Sequence, residues 1–175
     1  MISVILDTET TGLDPHNDRI VELAILVTDS KVMMGVLSTL INPQIAFDNA
    51  VNGLSLQDVI EKPTFKELCN LGLPYLFSIA DEFIGHVLDF DLRFLRAEFS
   101  YLGLQFPTRQ SYDTFRLTKK NLQESCSNAN VDTKDITWHS ALGDAVATWR
   151  LARRLRQGQG KDIGTDPVTL GVRLS

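Results

Sequence analysis

Cysteine is scarce in this chain: only Cys69 and Cys126 occur among its 175 residues. Two thiols so far apart make no disulfide framework, and both are expected to be reduced. Long hydrophobic runs are missing too. No apolar stretch approaches the roughly 20 residues that span a bilayer, so no membrane partner is expected. The run from Ile2 to Leu6 meets Asp7 without a basic flank, which is too short for a secretory signal and leads us to expect a cytoplasmic protein. Positive charge is in deficit: 17 Lys and Arg stand against 22 Asp and Glu, a formal net charge of -5. Bulk electrostatics therefore cannot draw a polyanion to the surface, and a nucleic-acid partner needs a local basic face or bridging metal ions.

What remains is an ordinary globular composition, 43% hydrophobic and 22% charged, which excludes a disordered or fibrous chain. At about 150 residues per domain the length argues for one domain. We place it at residues 1–157, with 158–175 as a flexible or docking tail that opens on the glycines of Gln157-Gly158-Gln159-Gly160.

Uncharged, β-branched Ile2 to Leu6 reads as a strand buried on both faces and ending at Asp7. Ile20 to Thr28 and Val32 to Thr39 read as a hairpin turning at Asp29-Ser30-Lys31. Ser55 caps a short helix over Leu56 to Ile60. Thr64 with Glu67 forms a capping box for a helix toward Ala80, which Pro74 should kink or shorten. Phe83 to Val87 is a short strand, Phe90 to Tyr101 an amphipathic helix stopped by Gly103, Arg109 to Tyr112 a brief strand, and Thr114 to Gln123 a helix. Residues 124–137 are polar enough to suggest a mobile loop. Ser140 to Arg156 is the final helix. Strands followed by interleaved strands and helices make an α/β protein with a mixed sheet covered by helices.

Four acids stand where a core should not have them. Asp7 and Glu9, in D-T-E-T-T-G, lie two apart on extended chain and so point to one face. Asp91 falls in H-V-L-D-F-D-L-R-F-L among residues that must face a core. Asp144 interrupts the apolar helix face of A-L-G-D-A-V-A-T-W, about one and a half turns after His139. Singly, each has a plainer role: a solvated turn for D-T-E, a helix cap for Asp91 and for His139, an ion pair with Arg150 or Arg154 for Asp144. Converging, they would repel one another unless cations neutralise them. Carboxylate-only ligand sets suit Mg²⁺ or Mn²⁺. Two such ions about 3.5–4 Å apart clamp the attacking and leaving oxygens of a phosphoryl displacement. A histidine, whose ordinary pKa is about 6.5, can take the proton of the attacking water.

The three segments, D-T-E-T-T-G-L at Asp7 to Leu13, G-H-V-L-D-F-D at Gly85 to Asp91 and H-S-A-L-G-D-A at His139 to Ala145, resemble in this order the three motifs of the DEDDh (DnaQ-like) 3′-5′ exonucleases. The resemblance covers about residues 2–152. It implies an RNase H-like fold, a central mixed five-stranded sheet flanked by helices with the second strand antiparallel to the first. It also implies two metal ions on Asp7, Glu9, Asp91 and Asp144, and His139 as general base. Backbone around Thr10 would hold the terminal 3′ hydroxyl, Leu13 would wedge against the last base, and Phe90 would line the nucleotide pocket; core packing is the alternative for Leu13 and Phe90. Three departures bear on substrate preference: Val87 stands where the family has asparagine, Asn52 stands where it has a histidine near the nucleotide, and 124–137 lacks the apolar helix expected before the third motif.

Lys119, Lys120, Arg150, Arg153, Arg154 and Arg156 are candidate phosphate contacts, with a solvated helix face as the alternative for the arginines. Tyr112 and Trp138 are candidate base-stacking platforms, while Trp149 belongs in the core. The expected activity is removal of nucleotides from single-stranded 3′ ends as nucleoside 5′-monophosphates. The alternatives are a nuclease-derived accessory subunit that docks a polymerase or other protein through its tail, and a short-RNA exoribonuclease. Nothing in the sequence separates DNA from RNA.

Overall fold

The computed structural model describes residues 1–29, 32–48 and 53–157. Five strands, β1 (Ser3–Thr10), β2 (Ile20–Thr28), β3 (Met33–Leu40), β4 (Glu82–Gly85) and β5 (Gln110–Asp113), form one sheet in the order β3-β2-β1-β4-β5. β1 pairs antiparallel with β2, and β2 with β3, while β4 lies parallel to both β1 and β5. This is the expected mixed α/β sheet. The seven helices among the described residues are α1 (Leu56–Val59), α2 (Phe65–Asn70), α3 (Leu73–Ser78), α4 (Leu88–Tyr101), α5 (Thr114–Thr118), α6 (Leu122–Asn128) and α7 (Ala141–Gln157).

Side chains alternate across a strand, so β1 feeds two cores. Val4 and Leu6 pack with Phe77, Phe83, Phe94 and Phe99 beneath α2 to α4. Ile5 packs on the other face with Ala24, Leu26, Ile84 and Trp149 beneath α7. The same alternation puts Asp7 and Glu9 on the α7 face and Thr8 on the α4 face.

Several expected boundaries move. β1 runs on to Thr10 rather than ending at Asp7, so both motif acids are strand residues. The helix expected to run toward Ala80 is two: Gly72, at φ 108, breaks the chain in the left-handed region, and Pro74 then sits in the first turn of α3. Lys119, also left-handed at φ 57, likewise divides the helix expected over 114–123. The supposed mobile loop contains most of α6, whose Ser125 and Cys126 are buried, Cys126 in the core beneath α7. A polar sequence there hid a helix that buries one face only. Cys69 and Cys126 are free thiols. Among the described residues no helix is long and apolar enough to cross a membrane. The turn residues Ser30 and Lys31, Asn52, and the tail 158–175 lie outside the described residues.

Candidate active site

The parallel pairing of β1 with β4 ends at Ile5 opposite Ile84, and β1 continues alone on that side for five residues. A notch results, and the first turn of α4 fills it. Asp91 enters where a further β4 residue would pair: its Oδ1 accepts the Thr8 amide at 3.0 Å and the Thr8 hydroxyl at 2.7 Å. On the opposite face α7 begins. Ser140 caps it, its Oγ accepting the Gly143 amide at 3.2 Å and donating to the Thr137 carbonyl at 2.8 Å. Gly143 is obligatory here, since a Cβ would collide with that same carbonyl.

These placements bring one carboxylate oxygen each from Asp7, Glu9 and Asp144 within 4.8 Å of one another. Asp91 lies beside this cluster and presses electrostatically on Asp7, but its own carboxylate is tied to Thr8 and is 4% exposed. Burial, then repulsion from Asp91, Asp144, Glu9 and Glu22, raises Asp7 well above the carboxylate range. Burial also pushes Glu9 up to about 7, with Asp144 and Glu22 adding to it. Asp91 is pushed up to about 7 by burial, against the lowering effect of Thr8. Burial raises Asp144 to about 6, opposed by the charge and the backbone amide of His139. Such a cluster is costly in free energy unless protons or cations neutralise it.

His139 stands at the mouth of α7, as the spacing suggested. It sits two residues before the helix, exposed, with φ 62. The left-handed turn keeps it close enough for its amide and ring to act on Asp144.

The loop after β1 is held rigidly. A register shift at Glu9/Thr10 bends the strand end, and Thr10 Oγ1 donates to the Gly12 carbonyl at 2.6 Å. Thr11 Oγ1 donates to Asp18 at 3.1 Å, and Arg19 clamps Glu98 of α4 with two bonds of 2.8 and 2.6 Å. The loop thus presents Leu13 to solvent, 73% exposed, which removes the core-packing alternative for it. Phe90 is half-buried, its ring 5.0 Å from Phe94.

A family model described as exonuclease matches residues 4–152. The chain belongs to the DEDDh 3′-5′ exonuclease family. This exonuclease is 34% identical over 160 residues to the DNA polymerase III subunit epsilon of Rickettsia prowazekii (strain Madrid E), an alignment covering 82% of this chain and 69% of that one. It is 30% identical over 122 residues to the 3′-5′ exonuclease DinG of Bacillus subtilis (strain 168), covering 66% of this chain but 13% of that longer protein. Among solved structures, exonuclease X in complex with 5′ overhanging duplex DNA superposes with a TM-score of 0.69 at 20% identity, covering 90% of this chain and 93% of that one. Escherichia coli exonuclease I with an oligonucleotide gives 0.69 at 17% identity, covering 91% of this chain and 41% of that one. At these identities the two structures speak for a shared fold.

Several sequence-level assignments change on this exonuclease scaffold. Arg156 is no phosphate contact: it is buried, bonded to Glu82 at 2.7 and 2.8 Å, and lies 3.9 Å over the Tyr112 ring, which is thereby lost as a stacking platform. Arg150 pairs with Asp135 and Arg154 donates to the Ala129 carbonyl, so neither neutralises Asp144. Lys120 pairs with Glu124 on an exposed face. Trp138 packs half-buried against the α7 core, and Trp149 is 1% exposed.

One residue of the site escaped the sequence reading. Glu22 stands directly across the ladder from Glu9 and is raised by burial and by Asp144, while the Ala141 amide at the start of α7 lowers it. The signal was there: a lone acid in I-V-E-L-A-I-L-V, in phase with Ala24 and Leu26 on the α7 face.

Proposed function

We infer that this exonuclease removes nucleotides from single-stranded 3′ ends, releasing nucleoside 5′-monophosphates, with two Mg²⁺ or Mn²⁺ ions held by Asp7, Glu9, Asp91 and Asp144. The observation that carries the reading is the cluster of three carboxylates within 4.8 Å, in which Asp144 Oδ1 is buried with no hydrogen-bond partner. A buried oxygen without a donor fits a cation, and an all-oxygen donor set fits a hard divalent one. Such ions, when bound, supply Lewis-acid polarisation of the phosphodiester and a nucleophile at neutral pH.

The chain's own residues do the rest. Thr8 holds the Asp91 carboxylate in the β1 notch, so that the acid stays aimed at Asp7. His139, exposed at the rim beside Asp144, receives the proton of the attacking water on a ring nitrogen as general base. The rigid loop from Thr11 to Arg19 offers the backbone near Thr10 to the 3′ hydroxyl and Leu13 as a wedge on the terminal base, while Phe90 borders the nucleotide. The Asn52 contact belongs to this reading as well. A notch closed on one side by α4 admits a strand end more readily than an internal bond. The expected setting is cytoplasmic.

The test is incubation of 5′-labelled DNA and RNA oligonucleotides, single- and double-stranded, with Mg²⁺, Mn²⁺ or chelator. Stepwise shortening from the 3′ end, release of 5′-mononucleotides and arrest by chelator are expected. Internal cleavage, or cleavage in chelator, overturns the reading, and the RNA arm tests the exoribonuclease alternative. The relationship to polymerase epsilon subunits favours a second reading, in which residues 158–175, beyond the family match, dock a polymerase. Polymerase capture unchanged by deleting them removes that role.

A further inference from the structure

The turn that carries Asp91 is strained, and the strain has a visible counterweight. Val87, the cap residue before α4, sits at φ 64 and ψ 39, and no side chain caps the helix there. A β-branched residue in the left-handed region is a true outlier, because its Cβ crowds the following carbonyl. Nothing in the local sequence favours this conformation, so the surroundings must impose it.

They do so from one segment, residues 113–120. The Val87 amide donates to Asp113 Oδ1 at 3.1 Å, and the same oxygen accepts the Phe115 amide at 2.9 Å. The Thr114 hydroxyl donates to the Gly85 carbonyl at 3.0 Å. His86, between them, uses both ring nitrogens: Nδ1 lies 2.9 Å from Thr114 Oγ1 and Nε2 lies 3.0 Å from the Lys120 carbonyl. The Phe115 ring meets the imidazole edge-on at 5.7 Å. A carbonyl only accepts, so Nε2 must carry a proton, and Thr114 can direct its hydroxyl hydrogen to Nδ1 or to Gly85. Burial holds the imidazole below its ordinary value, consistent with the neutral Nε2-H tautomer.

We propose that His86 is a positioning residue: by bridging Thr114 and the Lys120 carbonyl it holds the left-handed turn at Val87 that aims Asp91 into the β1 notch. His86 contacts none of the clustered acids. Its effect passes through the turn, and residues that orient a ligand in this way are commonly worth roughly 10- to 100-fold in metal affinity or activity. The inference rests on Asp91 serving as a metal ligand.

The experiment compares parent, His86→Ala, His86→Gln and the double variant His86→Ala with Val87→Asn. Mn²⁺ affinity is read by titration without nucleic acid, and kcat and KM with a single-stranded oligonucleotide. His86→Ala should bind Mn²⁺ about 10-fold more weakly, with kcat reduced in step and KM unchanged. His86→Gln, which keeps a donor for the Lys120 carbonyl, should lose less. Asparagine is at home in the left-handed region, so Val87→Asn should recover most of the loss in the double variant. In the metal-free parent, the His86 ¹⁵N shifts should report the Nε2-H tautomer. Parental Mn²⁺ affinity in His86→Ala, a loss confined to KM, or a folded double variant with no recovery overturns the proposal. If His86→Ala does not fold, His86→Gln with and without Val87→Asn gives the same comparison. A parent that binds Mn²⁺ but cleaves no 3′ end counts against the exonuclease reading and leaves the titration arm to judge His86.

Discussion

Replacing Asp144 with asparagine should stabilise the metal-free protein while destroying its use. Asp144 stands at about 6 against an ordinary 3.8, raised chiefly by burial. That difference corresponds to about 3 kcal/mol if taken at face value, at about 1.4 kcal/mol per pKa unit. The side chain is only partly buried, so solvent screening reduces the figure to about 1.5 kcal/mol. For a domain of this size that is a rise in Tm of roughly 3–6 °C. The sign depends on pH. A carboxyl raised in the folded state contributes stability below its unfolded value, near 4, and that contribution is lost as pH climbs through about 6. The advantage of Asp144→Asn should therefore be nearly absent at pH 4, grow between pH 4 and 6, and be complete by pH 8. Asp7, Glu9 and Glu22 all feel repulsion from Asp144, so their relief adds in the same direction. With Mn²⁺ at about 100 times its Kd the parent gains about 2.7 kcal/mol, a gain the variant with one ligand fewer cannot match. The order of melting temperatures then inverts. Calorimetric melts in chelator at pH 4.5 and 8, and again with Mn²⁺, decide it. A difference between variant and parent that stays constant across pH refutes the electrostatic reasoning.

Asp7→Ala should abolish cleavage of labelled oligonucleotides without unfolding the protein, measured by gel assay beside circular dichroism. His139→Ala should slow single-turnover cleavage roughly 10²–10⁴-fold at saturating Mn²⁺ yet bind the metal normally, and loss of Mn²⁺ binding would instead make the residue structural. Arg156→Ala leaves Glu82 buried beside Ser3 without its cation, at a cost of about 3–5 kcal/mol by denaturant melts, much of it restored by adding Glu82→Gln. Gly143→Ala drives a methyl against the Thr137 carbonyl and should cut activity along with Tm, because the displaced segment leads to His139.

The sheet was legible because its strands announce themselves chemically. β1 and β2 are nearly unbroken β-branched and aliphatic runs, and Asp7 and Glu9 share a face by simple alternation. The helical boundaries were less so, since two breaks fall on left-handed residues, Gly72 and Lys119, that a periodicity reading does not weigh. α6 was missed for a related reason. Only Leu122, Ser125 and Cys126 turn inward, too few apolar residues to show a period, and its stability comes from α7 rather than from its own composition. The basic residues failed differently. Arg150 and Arg156 read as a charged stripe along α7, but their partners, Asp135 and Glu82, are 15 and 74 residues away in the chain. Long-range pairing leaves no local mark. The candidate acids were found by what they violate, and the same rule applied strictly to β2 would have found Glu22.

Among the described residues the one gathering of three such acids, Asp7, Glu9 and Asp144, lies at this end of the sheet. Like charges directly opposite on a ladder are destabilising, and Glu9 faces Glu22 with Asp7 and Asp144 close by. Among the described residues the compensations are the Thr8 donors to Asp91, the Ala141 amide at the start of α7 toward Glu22, and the amide and charge of His139 toward Asp144. Helix N-terminal amides of this kind contribute about 0.3–1 kcal/mol each, less than the repulsion they oppose. The remainder can be met only by protons or by cations. A surface charge cluster would relax by moving apart, but Asp7 and Glu9 are fixed on a strand paired along its length with β2, and Asp144 is fixed by the Gly143 contact with Thr137. The rigidity that keeps these like charges together is therefore what would, on the proposed reading, offer an arriving cation oxygen ligands already in place.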